Sequence, residues 1–202
     1  MISFQNFIKN VLLVLCFLPW VAGIVTFCIL NHSPQRSALH KVLEDRRFEE
    51  AKVIIEAGRI NDFNPKTDWQ KTPLMHAIDN IRLGKMANEV GDWTEIVSLL
   101  LSSGADVNET GWLCYSPLHE AAKGHDSRVI EILLDHGAKV NRKNCHGQTP
   151  LMIAADISEK TVVQKLLLAG ADPNIRANDG KTALEYAKTA EIASIILEAR
   201  KK

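Results

Sequence analysis

Apolar residues fall along this chain in two different ways, and each way predicts a different kind of element. From Val11 to Leu30 the sequence VLLVLCFLPWVAGIVTFCIL runs for twenty residues without a charge. As a helix that run is about 30 Å long, enough to cross the hydrocarbon core of a bilayer. Beyond it the apolar residues recur in short pairs that stop near a glycine: Ile54-Ile55 before Gly58, Leu99-Leu100 before Gly104, Leu133-Leu134 before Gly137, and Leu166-Leu167 before Gly170. Such pairs predict the buried faces of short helices, each ended by a residue able to turn left-handed.

A second pattern interleaves with the first. Ser37-Ala38-Leu39-His40, Thr72-Pro73-Leu74-Met75, Ser116-Pro117-Leu118-His119, Thr149-Pro150-Leu151-Met152 and Thr182-Ala183-Leu184 share one start, and the last two intervals are both 33 residues. A Ser or Thr hydroxyl caps the following helix, and Pro at the first helical position gives up an N–H that had no partner there. Paired small residues, Ala121-Ala122 and Ala154-Ala155, let two helices of one unit approach closely. Leu118, Leu151 and the paired leucines face the neighbouring units. Asn141 and Asn174 begin the turn towards the next cap.

These residues, Ser116-Pro-Leu-His-Glu-Ala-Ala, Gly137-Ala-Lys-Val-Asn, Gly147-Gln-Thr-Pro-Leu and Gly170-Ala-Asp-Pro-Asn, resemble ankyrin repeats over about residues 34–202. The resemblance implies an all-α solenoid of about five helix-turn-helix repeats, starting near residues 37, 72, 116, 149 and 182. The second repeat departs from the pattern. Gly104 lies 32 residues after Thr72 where the third repeat has 21 from Ser116 to Gly137, which places an eleven-residue insertion within about 80–93, either a lengthening of the first helix that projects from the stack or a tolerated loop. The fifth repeat is shortened by about three residues. Both ends of the array carry charge, Lys41-Glu44-Asp45-Arg46 and Glu198-Ala-Arg-Lys-Lys, as terminal repeats facing water must.

The expected layout is a short tail over 1–10, a retained membrane helix over 11–30, a linker over 31–36 and the repeats over 37–202. A cleaved signal peptide is the rival, since Val21-Ala22-Gly23 has small residues at a cleavage distance. Cleavage there leaves an apolar Ile-Val-Thr-Phe-Cys-Ile-Leu end with no place to go, and a retained anchor is favoured. Phe27 stands where the lipid-modified cysteine of a bacterial lipoprotein needs a small neighbour, which disfavours Cys28 as such a site. For orientation, Lys9 favours a cytoplasmic N-terminus, whereas Arg36, Lys41, Arg46 and Arg47 pull the other way. A ten-residue tail before one long apolar run is similar to a bacterial signal-anchor, and the repeat domain is expected outside the cytoplasm, in a periplasm.

Charge narrows the function. The chain carries 24 basic and 24 acidic side chains, and Lys9 is the one charged residue in the first 30. The repeats therefore lack the basic excess that a nucleic-acid binder needs. The four cysteines form no CxxC and no Cys/His zinc spacing. Cys114 and Cys145 lie 31 residues apart, on what should be neighbouring turn tips. Packed helices run about 8–10 Å apart, whereas a disulfide needs Cα atoms about 4.4–6.8 Å apart, so two unpaired thiols are expected. Cys145-His146 raises a thiol nucleophile, but an open tip supplies neither a pocket nor an orienting third group.

What remains is contact. The resemblance implies a non-catalytic scaffold, without cofactor, metal or small-molecule substrate, that binds a protein partner through turn tips and the exposed face of each first helix. Carried over position by position, the contact candidates are Trp69 and Lys71; Trp112, Leu113 and Tyr115; Cys145, His146 and Gln148; and Asn178, Asp179 and Lys181. The helix faces add Lys123 and Asp156. Trp69, Trp112 and Tyr115 lead because aromatic residues anchor interfaces. His119 is expected to brace adjacent turns. An adaptor at a membrane is the leading reading, and an inhibitor or immunity-type protein that covers the active site of a toxin or hydrolase is the alternative.

Overall fold

A helix that begins with proline needs its remaining free N–H groups met by the residue before it. Pro73, Pro117 and Pro150 each open a helix in the computed structural model, which describes residues 38–57, 71–87, 92–124 and 127–201. Thr72 Oγ1 accepts the Met75 amide at 3.2 Å, and Ser116 Oγ accepts the His119 amide at 3.4 Å. Thr182 closes its cap in the other direction, donating its own amide to Glu185 Oε2 at 2.6 Å. The apolar run of 11–30 with its flanking tail and linker, and Trp69, lie outside the described residues. Among the described residues no helix is long and apolar enough to cross a membrane.

Among the described residues ten α-helices follow in order: α1 (Ala38–Glu44), α2 (Phe48–Glu56), α3 (Pro73–Ala87), α4 (Trp93–Ser102), α5 (Pro117–Ala122), α6 (Ser127–Asp135), α7 (Pro150–Ile157), α8 (Lys160–Leu168), α9 (Ala183–Tyr186) and α10 (Ala190–Ala199). A 3-10 turn at Trp112–Cys114 precedes α5. The described residues contain helices and turns and no strand. Odd-numbered helices pack on one another in sequence and form an inner row; even-numbered helices do the same in an outer row, and each odd helix packs on the even one after it. The stack lies within the unit Arg36–Lys202.

Small residues set how close the two rows come. Ala122, Ala154 and Ala155 are fully buried where inner helices meet their neighbours, and Leu118, Leu133, Leu151 and Leu166 fill the spaces between repeats. A T-shaped pair of Phe48 and Trp93, 5.5 Å between centroids, joins α2 to α4. Main chain is tied to main chain by asparagines. Asn108 donates to the Gly137 carbonyl at 3.0 Å and accepts the Lys139 amide at 2.9 Å, and Asn141 does the same for Gly170 and Asp172 at 3.1 and 2.8 Å. Gly137 and Gly170 hold φ of 83° and 86°, the left-handed exits through which the chain leaves each outer helix.

Within the described residues, the insertion in the second repeat is helical as far as Ala87. α3 is 15 residues long against 6 for α5 and 8 for α7, so it runs past its neighbours before residues 88–91, which are not described. Near its middle, Asn80 is buried and donates to the Leu43 carbonyl at 2.8 Å, fastening the long helix to the first repeat.

One expectation is overturned. Cys114 and Cys145 are joined as a disulfide, with Cα atoms 5.2 Å apart. Helix spacing was the wrong measure, because these residues lie on turn tips and not on helices. The Cys145 amide donates to the Leu113 carbonyl at 2.9 Å, so the two tips run against each other like adjacent strands, at roughly half the distance between helix axes.

Leu133 is fully buried and Leu168 is 88% exposed. Leu133→Ala should therefore lower unfolding stability by about 2–5 kcal/mol, while Leu168→Ala changes it by less than about 0.5 kcal/mol. Urea titration of the two variants, followed by helical circular dichroism, checks both.

Candidate functional site

The third turn tip departs most from its neighbours. Gly147 and Gly180 take the left-handed position of the fourth and fifth tips, with φ of 73° and 81°. In the third tip that place belongs to Cys114 at φ 59°, and Leu113 before it is also left-handed at φ 54°. The turn is held by Gly111, whose amide donates to the Tyr115 carbonyl at 2.9 Å, and by the Tyr115 amide, which donates to the Trp112 carbonyl at 3.2 Å. This compact loop pushes Trp112 outward to 62% exposure. Of the large apolar side chains that are exposed among the described residues, Trp112 is the aromatic one.

Beneath it lies a cleft of about 310 Å³ lined by Lys71, Met75, Trp112, Leu113, Tyr115, Glu120 and Lys123. Its charges are arranged in pairs. The Lys123 ammonium sits 4.0 Å from the centre of the Tyr115 ring and donates to Glu120 Oε1 at 3.0 Å. Glu120 is almost wholly buried, and this pairing is what lets a carboxylate lie against the stack. Burial, and then the Glu120 charge, push the Tyr115 phenol above its ordinary pKa, so the ring enters the cleft as a neutral hydroxyl.

On the opposite rim Lys71 pairs with Asp79, which also accepts from Arg82 Nη2 at 3.1 Å. Burial works to raise the Asp79 pKa, but the hydrogen bonds and charges of Lys71 and Arg82 prevail and hold it below the ordinary carboxylate value. Two cations thus share one carboxylate at this edge.

Five of the residues singled out by sequence, Lys71, Trp112, Leu113, Tyr115 and Lys123, meet in this cleft. The others do not. His146 is exposed on the fourth tip, and its carbonyl accepts the Asn178 amide at 2.9 Å. Gln148 is a tether: its amide donates to Asn144 Oδ1 at 2.9 Å, and its carbonyl meets His119 Nε2 at 3.0 Å. Asp156 pairs with Lys188 at 3.0 Å, between the fourth and fifth repeats. Cys145 is consumed by the disulfide and offers no thiol. Met75 and Glu120 complete the cleft and were not foreseen. The i, i+3 spacing of Glu120 and Lys123 was a readable sign of their pairing. Met75 carries no comparable sign, because an apolar residue at this place in the motif, like Met152 in the fourth repeat, reads as core.

His119 does brace the tips. Its ring nitrogens reach Ser116 Oγ at 2.8 Å and the Gln148 carbonyl at 3.0 Å, while the residue itself is fully buried. Among the described residues no group of His, Cys, Asp and Glu is placed to hold a metal ion.

The chain matches the family model for ankyrin repeats (3 copies) over residues 83–177 and 118–202. No curated protein matches the chain.

Burial, reinforced by the charges of Lys123 and Arg142, outweighs the hydrogen bond to the Gln148 carbonyl and lowers the His119 pKa from 6.5 to about 4. Between those values the unfolded chain binds the proton and the folded chain does not. The stability due to neutral His119 is therefore complete above about pH 6.5 and is lost as the pH falls towards about 4, by up to about 3 kcal/mol. Urea midpoints measured across this range should show the fall, and His119→Gln should lower the midpoint at neutral pH while flattening its dependence on acid.

Proposed function

The chain belongs to the ankyrin-repeat family, and from that premise we propose that it is a membrane-anchored, non-catalytic protein that docks a protein partner outside the cytoplasm. Residues 11–30 serve as a single-pass signal-anchor, residues 31–36 as linker, and the repeats of 37–202 as the binding module. Ankyrin repeats form a protein–protein interaction module. The observation that carries the reading is the cleft between the second and third repeats, where exposed Trp112 and half-buried Tyr115 stand over apolar Met75 with paired charges around them. An exposed tryptophan beside a recess is the usual form of an interface anchor.

The lining also describes what fits. Apolar Met75 and Leu113, with the faces of Trp112 and Tyr115, suit an aromatic or aliphatic side chain. The ion pairs of Asp79 with Lys71 and Arg82 give the recess a polar edge, which suits a polar neighbour on the partner. In this reading Gln148, His146 and Asp156 add further contacts, and so does Trp69, which lies outside the described residues. The position outside the cytoplasm draws support from Cys114 and Cys145, since disulfides persist in oxidising compartments and are rare in the cytosol.

Two measurements test this. Alkaline phosphatase fused after Lys202 should be active in a bacterial host, and the protein should resist carbonate extraction. Activity of a green fluorescent protein fusion without phosphatase activity would instead put the repeats in the cytoplasm. A photo-cross-linking residue at position 71 should give one discrete adduct with the partner, and Trp112→Ala should weaken that complex by about 2 kcal/mol, roughly thirtyfold. The same cross-linker at position 168, on the outer row, should give no adduct.

A further inference from the structure

Neighbouring tips approach closely enough that one of them ordinarily needs a glycine. A Cβ built on Gly147 would lie 2.8 Å from the Asn178 amide nitrogen and 3.0 Å from its side-chain Cγ. Asn178 seals the approach, donating its main-chain amide to the His146 carbonyl at 2.9 Å and its side-chain amide to the Cys145 carbonyl at 3.0 Å. One period of 33 residues earlier, the places of Gly147 and Asn178 are taken by Cys114 and Cys145. The third tip therefore carries a Cβ where the next pair of tips has no room for one. Bonded sulfurs occupy less space than two thiols in contact, and the covalent link is what makes a side chain admissible there.

The backbone points the same way. Leu113 and Cys114 are successive left-handed residues with side chains, a conformation that either would leave if the surrounding structure released it. Within the tip, the Cys114 amide donates to the Gly111 carbonyl at 3.2 Å; the anchors that tie the pair to the next tip are the Cys145 amide on the Leu113 carbonyl and the Cys114–Cys145 bond. Leu113, with Trp112 and Tyr115 on either side of the pair, forms one wall of the cleft. Both cysteines are exposed, so the bond is within reach of soluble thiols.

We propose that the Cys114–Cys145 disulfide is a redox latch that holds the Trp112–Tyr115 wall of the cleft in its binding form, so that reduction lets the wall relax and lowers affinity for the partner. This regulation rests on the reading of the cleft as the partner site. Closure needs a disulfide-bearing oxidant, a protein or small-molecule dithiol carrier. One cysteine thiolate attacks the carrier disulfide and forms a mixed disulfide. The other thiolate then attacks the chain's sulfur in that mixed disulfide, forming the Cys114–Cys145 bond and expelling the carrier as its dithiol. Two electrons and two protons pass from the cysteine pair to the carrier, and a dithiol reductant reverses both steps.

The test uses the full chain in detergent, labelled with 5-fluorotryptophan, with the Trp112 fluorine resonance assigned by Trp112→Phe. Dithiothreitol should shift the Trp112 resonance, reoxidation should return it, and buried Trp93 should stay unmoved. Cys114→Gly/Cys145→Asn, which rebuilds the glycine–asparagine approach of the next tips, should hold Trp112 near its oxidised position and ignore the reductant. Reduction should cut the position-71 adduct about tenfold, as when a competent state falls to about a tenth of the population. Equal Trp112 resonances and equal adduct in the two redox states would overturn the latch and leave the binding reading standing. A Trp112 shift with no adduct in either state would uphold the latch on the tip and sink the binding reading instead.

Discussion

Every repeat in this stack must bury one face on the repeat before it and another on the repeat after it, and the backbone spacing that allows both is the constraint on which everything else depends. Alanines set that spacing where helices meet, since Ala122, Ala154 and Ala155 leave no side chain to hold the rows apart. At the tips, Gly147 does the same work against Asn178. Between these two levels the asparagines bond main chain to main chain, with Asn108 and Asn141 each reaching into the next repeat's exit turn. A displacement of one repeat would break apolar contact, cap and asparagine bridge together, so the stack behaves as a coupled array of neighbours.

The candidate site lies where that regularity is broken. The third tip has neither the glycine nor the polar loop of its neighbours, and the disulfide takes over the close approach that glycine otherwise provides. Freed from the usual turn, Trp112 projects, and the second repeat supplies the other side of the cleft, Met75, Asp79 and Arg82 from α3 and Lys71 from the segment before it. The charges there are neutralised in pairs and not left bare. That arrangement keeps the unliganded surface soluble while presenting an apolar recess, and it places the specificity of any contact in shape as much as in charge.

Much of the fold was legible because its causes are local. Ser116 caps and Pro117 starts α5 for reasons contained within four residues, Gly137 and Gly170 end their units within one turn, and repetition of these signals at one interval identifies the array. The position of the insertion near 80–93 followed from counting, while the choice between a longer first helix and a loop needed the structure, in which α3 runs to Ala87 and Asn80 holds it to the Leu43 carbonyl. The candidate site was half legible. Lys71, Trp112, Leu113, Tyr115 and Lys123 were recognisable as tip or inner-face residues, but Gln148 and Asp156 share those positions and are engaged away from the cleft, Gln148 with Asn144 and Asp156 with Lys188.

The sequence by itself determined the helical repeat, the caps and exits of its units, the buried faces and the bracing role of His119, because each follows from the chemistry of residues a few positions apart. Only the tertiary structure decided which tip residues share a cleft and that Cys114 reaches Cys145 across 31 residues. The physical reason is that such pairs depend on the distance between stacked main chains at the tips. Side-chain packing, main-chain hydrogen bonds and close glycine contacts set that distance jointly, and a ruler taken from helix axes misjudged it.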